Sequence, residues 1–95
     1  MKYIIDYTSS FKKQHKKIQK QGKDLNKLYE VIKILSNGKQ LDKKYKNHIL
    51  KNNNVFKNCY ECHIEPDWLL IYRIEKEILV IILFATGSHS DLFNI

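Results

Sequence analysis

The sequence predicts an α+β domain of order β-α-α-β-β-β, in which a helical hairpin packs on a small, mainly antiparallel sheet. A β-branched and aromatic run opens the chain, two segments of helical spacing follow, and three apolar runs separated by brief turns come last. Ninety-five residues make a single domain, residues 1–95, because chains divide into cores of roughly 100–200 residues.

The first strand is read at residues 2–7, Lys-Tyr-Ile-Ile-Asp-Tyr, stopping at Thr8-Ser9-Ser10, where hydroxyl side chains suit a helix N-cap. The helix from there to about Gly22 has a thin apolar stripe, Phe11 and Ile18, while Lys12, Lys13, Lys16, Lys17 and Lys20 cover most of its circumference. It can bury only one narrow face. Asp24 caps a second helix, in which Leu25, Leu28, Tyr29, Ile32 and Leu35 keep helical spacing until Asn37-Gly38 ends it. Gly22 and Lys23 leave so short a connection that the two helices must lie antiparallel.

From Lys39 to Asn54 no period holds, and this reads as a long loop, a kind of connection that tends to be functional. Three strands are expected next, Val55–Ile64, Trp68–Ile74 and Ile78–Ala85, joined by Glu65-Pro66-Asp67 and Glu75-Lys76-Glu77. Connections that short join antiparallel neighbours. The last run is apolar throughout, as suits a strand in the sheet centre. Thr86 to Phe93 then leaves room for a Gly turn and one turn of helix.

Charge is divided unevenly. Residues 1–58 hold fifteen lysines against Asp6, Asp24, Glu30 and Asp42, whereas residues 59–95 hold Arg73 and Lys76 against six acids. The split suggests a basic surface in the N-terminal half able to draw in a polyanion, and composition alone fits a solubilising lysine-rich face equally well. The longest apolar run, Ile78 to Ala85, is eight residues, against roughly 20 for a membrane-spanning helix. Asp6 interrupts the N-terminus before a signal-peptide core forms. A soluble cytoplasmic protein is expected, with no membrane partner.

Two cysteines, Cys59 and Cys62, are too few for a disulfide framework. Their CxxC spacing falls on an expected strand, where positions three apart face opposite ways, so one metal cannot take both thiols. Ser88, His89 and Asp91 are too close in sequence to form a hydrolase triad.

The histidines carry more. His15 lies among helix lysines. His48, His63 and His89 lie in three separate segments that a meander brings to one edge, and strand alternation puts His63 on the side of Cys59 and Glu61, away from the better apolar face. Imidazoles with an unperturbed pKa of about 6.5 suit both proton transfers of RNA phosphodiester cleavage. Lysines of the loop and first helix can hold phosphates, and Trp68, Tyr72 and Phe93 offer flat faces for a splayed base.

Cys62-His63-Ile64-Glu65-Pro66-Asp67-Trp68-Leu69-Leu70-Ile71-Tyr72, then Thr86-Gly87-Ser88-His89-Ser90-Asp91-Leu92-Phe93, closely resembles the YafQ-like branch of the RelE/ParE toxin superfamily. The upstream segment Tyr45-Lys46-Asn47-His48-Ile49-Leu50-Lys51 is similar to that family's basic-polar-His-x-Leu loop. The likeness spans nearly the whole chain. It implies a RelE-like fold and a toxin of a type II toxin–antitoxin pair that cleaves messenger RNA in the ribosomal A site. Cleavage would proceed by 2′-hydroxyl attack without metal or other cofactor, leaving a 2′,3′-cyclic phosphate. The implied partners are an acidic cognate antitoxin, mRNA with the 70S ribosome, and operator DNA only through the antitoxin complex.

By the same resemblance, His48 and His63 fall on histidines of proton transfer or phosphate contact, Asp67 on the acid of the cleft, and His89 on the general acid. Trp68 and Phe93 match aromatics that order the substrate or the site. Relatives commonly carry Arg where this chain has Tyr60 and Ala85, which removes potential phosphate ligands, and Lys46, Lys51 or Arg73 would have to stand in. The alternatives are a gyrase-inhibiting ParE-like toxin, a catalytically weakened toxin acting with its antitoxin as a repressor, and a general basic RNA-binding module.

Overall fold

The computed structural model describes residues 1–94 as an α+β fold with a five-stranded mixed sheet. Its elements are β1 (Ile4–Tyr7), α1 (Ser9–Lys20), α2 (Leu25–Ser36), β2 (His48–Ile49), β3 (Tyr60–Glu65), β4 (Trp68–Glu75), β5 (Val80–Gly87) and α3 (His89–Phe93), with a 3₁₀ turn at Lys43–Tyr45. The sheet order is β1-β5-β4-β3-β2. Only β1 and β5 pair in parallel; the other neighbours are antiparallel. The apolar strand β5 thus lies inside the sheet, between β1 and β4, as its composition requires.

Both helix starts are capped as the sequence indicates. Thr8 Oγ1 accepts from the Phe11 N–H at 3.0 Å, and the Asp24 carboxylate accepts from the Asn26 N–H at 3.1 Å. In α1 the buried residues are Phe11 and Ile18, the thin stripe expected. In α2 the buried set is Leu28, Val31, Leu35 and Ser36, so the stripe is rotated from the expected one. Tyr29 turns outward and accepts or donates a 2.8 Å hydrogen bond with His15 Nε2 across the hairpin. His15 is therefore partnered and not simply solvated.

α1 packs on β5 and α2 on β3, enclosing a main core with Leu28, Val31, Trp68, Leu70 and Tyr72 at its centre. The opposite sheet face carries a smaller cluster, Phe56, Cys59, Ile71 and Ala85, against which Leu92 and Phe93 pack. Cys59 and Cys62 lie in different clusters, as strand alternation demands.

Two segments differ from the sequence reading. The expected loop from Lys39 to Asn54 contains the 3₁₀ turn and β2, whose His48 and Ile49 pair with Glu61 and Tyr60 of β3. The second expected strand, Val55–Ile64, begins at Tyr60 and not at Val55. Phe56 instead tucks into the smaller cluster, and Asn52 and Asn58 take positive φ of 57° and 59°, which breaks any extended run between them.

Candidate active site

Four short segments meet on the sheet face away from α1 and α2. β2 contributes His48 and β3 contributes Glu61 and His63, which are two residues apart and so share a face. The β3–β4 turn contributes Asp67. Gly87, at φ +153°, turns the chain out of β5 into α3, where Ser88 caps the helix and His89 is its first residue.

These side chains form a connected set. Asp67 Oδ1 accepts from the His89 main-chain N–H at 2.9 Å and from its ring Nδ1 at 2.7 Å. That pair of donors holds the Asp67 carboxyl below the usual carboxylate range. With Nδ1 given to Asp67, the His89 Nε2 edge faces the rest of the cluster. The His89 and His63 ring centroids are 5.6 Å apart, and those of His63 and His48 6.3 Å.

Glu61 is the hub. Its Oε1 lies 3.2 Å from His63 Nε2 and 3.6 Å from His48 Nε2, and the residue is only 5% exposed. The far nitrogens of both rings also face acceptors: His48 Nδ1 the Lys46 carbonyl at 2.9 Å, His63 Nδ1 the Pro66 carbonyl at 3.4 Å. Each ring thus has an oxygen opposite each nitrogen, a carboxylate on one side and a main-chain carbonyl on the other. The arrangement can therefore hold positive charge beside a phosphate. Glu61 was not singled out in the sequence because a charged residue on a strand's outer face is unremarkable. The signal available was its position two before His63.

The other expected residues fall in different places. Lys46 and Lys51 are exposed on either side of β2. Phe93 is half-buried, edge-on to Phe56, with its ring 6.5 Å from that of His89. Arg73 lies over Phe84, and its Nε stands 2.8 Å from a Glu75 oxygen, so its charge is already matched.

Trp68 is a correction. It is 0% exposed, and its indole N–H donates to Thr86 Oγ1 at 3.0 Å. It supports the strand that leads to His89 from beneath and presents no face to a base. Tyr72 is likewise core. Tyr60 stacks on Tyr72 at 5.6 Å on the helix side, so an arginine at that position would not share a face with the histidines. Ala85 does lie on the histidine side of the sheet, among Phe56, Cys59 and Ile71.

Ligand atoms of Glu61, His63 and His89 all lie within 4.8 Å of one another. Two imidazoles and a carboxylate at that separation fit a late first-row divalent metal. Among the described residues no helix is long and apolar enough to cross a membrane.

Residues 3–94 match the family model described as the bacterial toxin of type II toxin-antitoxin system, YafQ. The chain is 38% identical over 91 residues to the mRNA interferase toxin YafQ of Escherichia coli strain B, covering 95% of each. A metal-bound toxin from Helicobacter pylori superposes with a TM-score of 0.89 at 41% identity, covering 96% of this chain and 99% of that one. The E. coli DinJ–YafQ complex gives 0.84 at 36% identity, with 96% and 98% covered.

Proposed function

The chain belongs to the YafQ family of bacterial type II toxin–antitoxin toxins, and from that premise we propose that it is an mRNA endoribonuclease acting in the ribosomal A site. The observation that carries the reading is the gathering of Glu61, His63 and His89 within 4.8 Å. Three separate segments supply them together with His48.

In the proposed reaction the substrate 2′-hydroxyl attacks the adjoining phosphorus, forming the O2′–P bond and breaking the P–O5′ bond. Its proton passes to the Glu61 carboxylate, whose Oε1 is already flanked by two imidazoles. His89 Nε2 gives a proton to the departing 5′-oxygen. Asp67 is a positioning residue: it fixes the His89 ring by taking Nδ1–H and so reserves Nε2 for the substrate. The ring N–H groups of His48 and His63 stabilise charge on the phosphorane. The products are a 2′,3′-cyclic phosphate and a 5′-hydroxyl, and no cofactor enters the balance. A metal held by Glu61, His63 and His89 would supply Lewis acidity, but it would occupy the same lone pairs that move protons.

The partners that accompany this reading are an acidic antitoxin, which would neutralise the lysine-rich face in the cytoplasm, and operator DNA reached through that antitoxin. The whole reading rests on residues 1–95 acting as one domain. The test is programmed ribosomes carrying labelled mRNA in the A site: the protein should yield a 2′,3′-cyclic phosphate end, and His89→Gln should not. Supercoiling inhibition without RNA cleavage would replace the nuclease reading with a gyrase-directed one.

A further inference from the structure

The histidine cluster has a second cleft beside it. It lies between α2, the 3₁₀ turn and the end of β3, and its volume is about 450 Å³, within the range of small-ligand sites. Lys27, Lys44 and Lys46 line it together with Glu30, Pro66 and His63, so one side chain belongs to both the cluster and the cleft. We propose that this cleft is the subsite for the nucleotide that carries the attacking 2′-hydroxyl, with that nucleotide's 5′-phosphate held by Lys44 and Lys46. The proposal rests on the nuclease reading above.

Charge supports it. Glu65, which also lines the cleft, is neutralised by Lys27 at 2.9 Å. Lys44 and Lys46 then face a single further acid, Glu30, and leave the cleft cationic. Backbone geometry supports it too. Lys46 sits at φ +49°, a left-handed conformation that costs a lysine energy, yet the turn gives its carbonyl to His48 Nδ1 at 2.9 Å. One strained residue thus orients an imidazole of the cluster and itself lines the cleft.

Direction follows from the two proton transfers. The departing 5′-oxygen must lie at His89, so the RNA downstream of the cut leaves over α3 and Phe93. The 2′-hydroxyl lies on the Glu61 and His63 side, and Pro66 and His63 border the cleft on that side. The nucleotide bearing that hydroxyl has its 5′-phosphate pointing into the cleft.

The probe is a dinucleotide whose first sugar is 2′-deoxy, so that it cannot be cleaved, prepared with a 5′-phosphate, a 3′-phosphate or neither. Binding is followed on the full chain by NMR of the imidazole signals. The 5′-phosphate should tighten binding roughly tenfold, the worth of one charge-assisted contact, and the 3′-phosphate by much less. Lys44→Ala should abolish the 5′-phosphate gain while binding the unphosphorylated dinucleotide like the parent, and Lys44→Arg should restore it. Equal gains from both phosphates, or a gain that survives Lys44→Ala, would overturn the subsite and leave the nuclease reading standing, provided the imidazole signals still move. If no dinucleotide moves them, the subsite fails, and the nuclease reading is decided separately by cleavage on programmed ribosomes. Lys44 is exposed, and matching thermal melts confirm that its variants fold.

Discussion

Asp67 takes both the main-chain and the ring N–H of His89 on one carboxylate oxygen, at 2.9 and 2.7 Å. A single acid in the β3–β4 turn thereby sets the tautomer of a ring on α3, twenty-two residues later. Because Asp67 acts through His89, the two should not be additive. His89→Gln should lower single-turnover cleavage on programmed ribosomes by about 10²–10⁴-fold. Asp67→Asn should lower it less, and the double variant should be no worse than His89→Gln alone. His89→Ala should likewise relieve growth arrest while leaving the fold intact.

The same contact makes a pH prediction. The Asp67 carboxyl titrates below its ordinary value of 3.8 in the folded chain because the His89 N–H groups favour the anion. A depressed folded value stabilises the fold above the unfolded carboxyl's range, and that contribution disappears as pH falls through the folded value. The melting-temperature difference between parent and Asp67→Asn should therefore shrink on acidification below the ordinary carboxyl range. A difference that grew on acidification would contradict the pairing.

Metal and proton compete for one set of lone pairs. Zinc added at low micromolar concentration should raise the melting temperature and inhibit cleavage, and His63→Gln should weaken the thermal shift. EDTA should not reduce the activity of metal-free protein. Loss of cleavage on chelation, restored by zinc, would require a different reaction.

Trp68 should behave as a structural residue. Trp68→Ala should cost about 3–5 kcal/mol of stability through the lost core volume, read from chemical denaturation. Trp68→Phe, which keeps most of the volume but leaves Thr86 Oγ1 without its indole donor, should cost less and leave RNA affinity unchanged.

Burial pushes the Cys62 thiol up to about 12 and raises that of Cys59. Neither should alkylate in the native protein at neutral pH, and both should label on unfolding, with mass spectrometry as the readout.

Much of the architecture was legible because it is written in local periodicity. The stripe of Phe11 and Ile18, the Asp24 cap and the apolar run of β5 each announce an element. β2 does not, because two residues have no period and His48–Ile49 is a strand only through its pairing with β3. Phe56 misled for the opposite reason, being an apolar residue in an apolar run whose partners lie on the far side of the sheet. In the site, the motif histidines were visible as residues with no place in the core. Glu61 was hidden because its importance comes from cross-strand pairing with His48, a relation between distant positions. Trp68 shows the converse: an aromatic beside the turn that holds Asp67 looks like a stacking platform until its burial is known.

The parallel alliance of β1 with β5 joins Ile4 to Val80 and Tyr7 to Leu83, so the sheet closes only when both ends of the fold are present. Contacts that distant in sequence form late. Until then β4 has β3 alone beside it and α3 lacks a floor, so His89 has nothing to hold it against His63. Clipping β1 away should therefore loosen β5 and, through it, the ring that α3 carries toward the cluster.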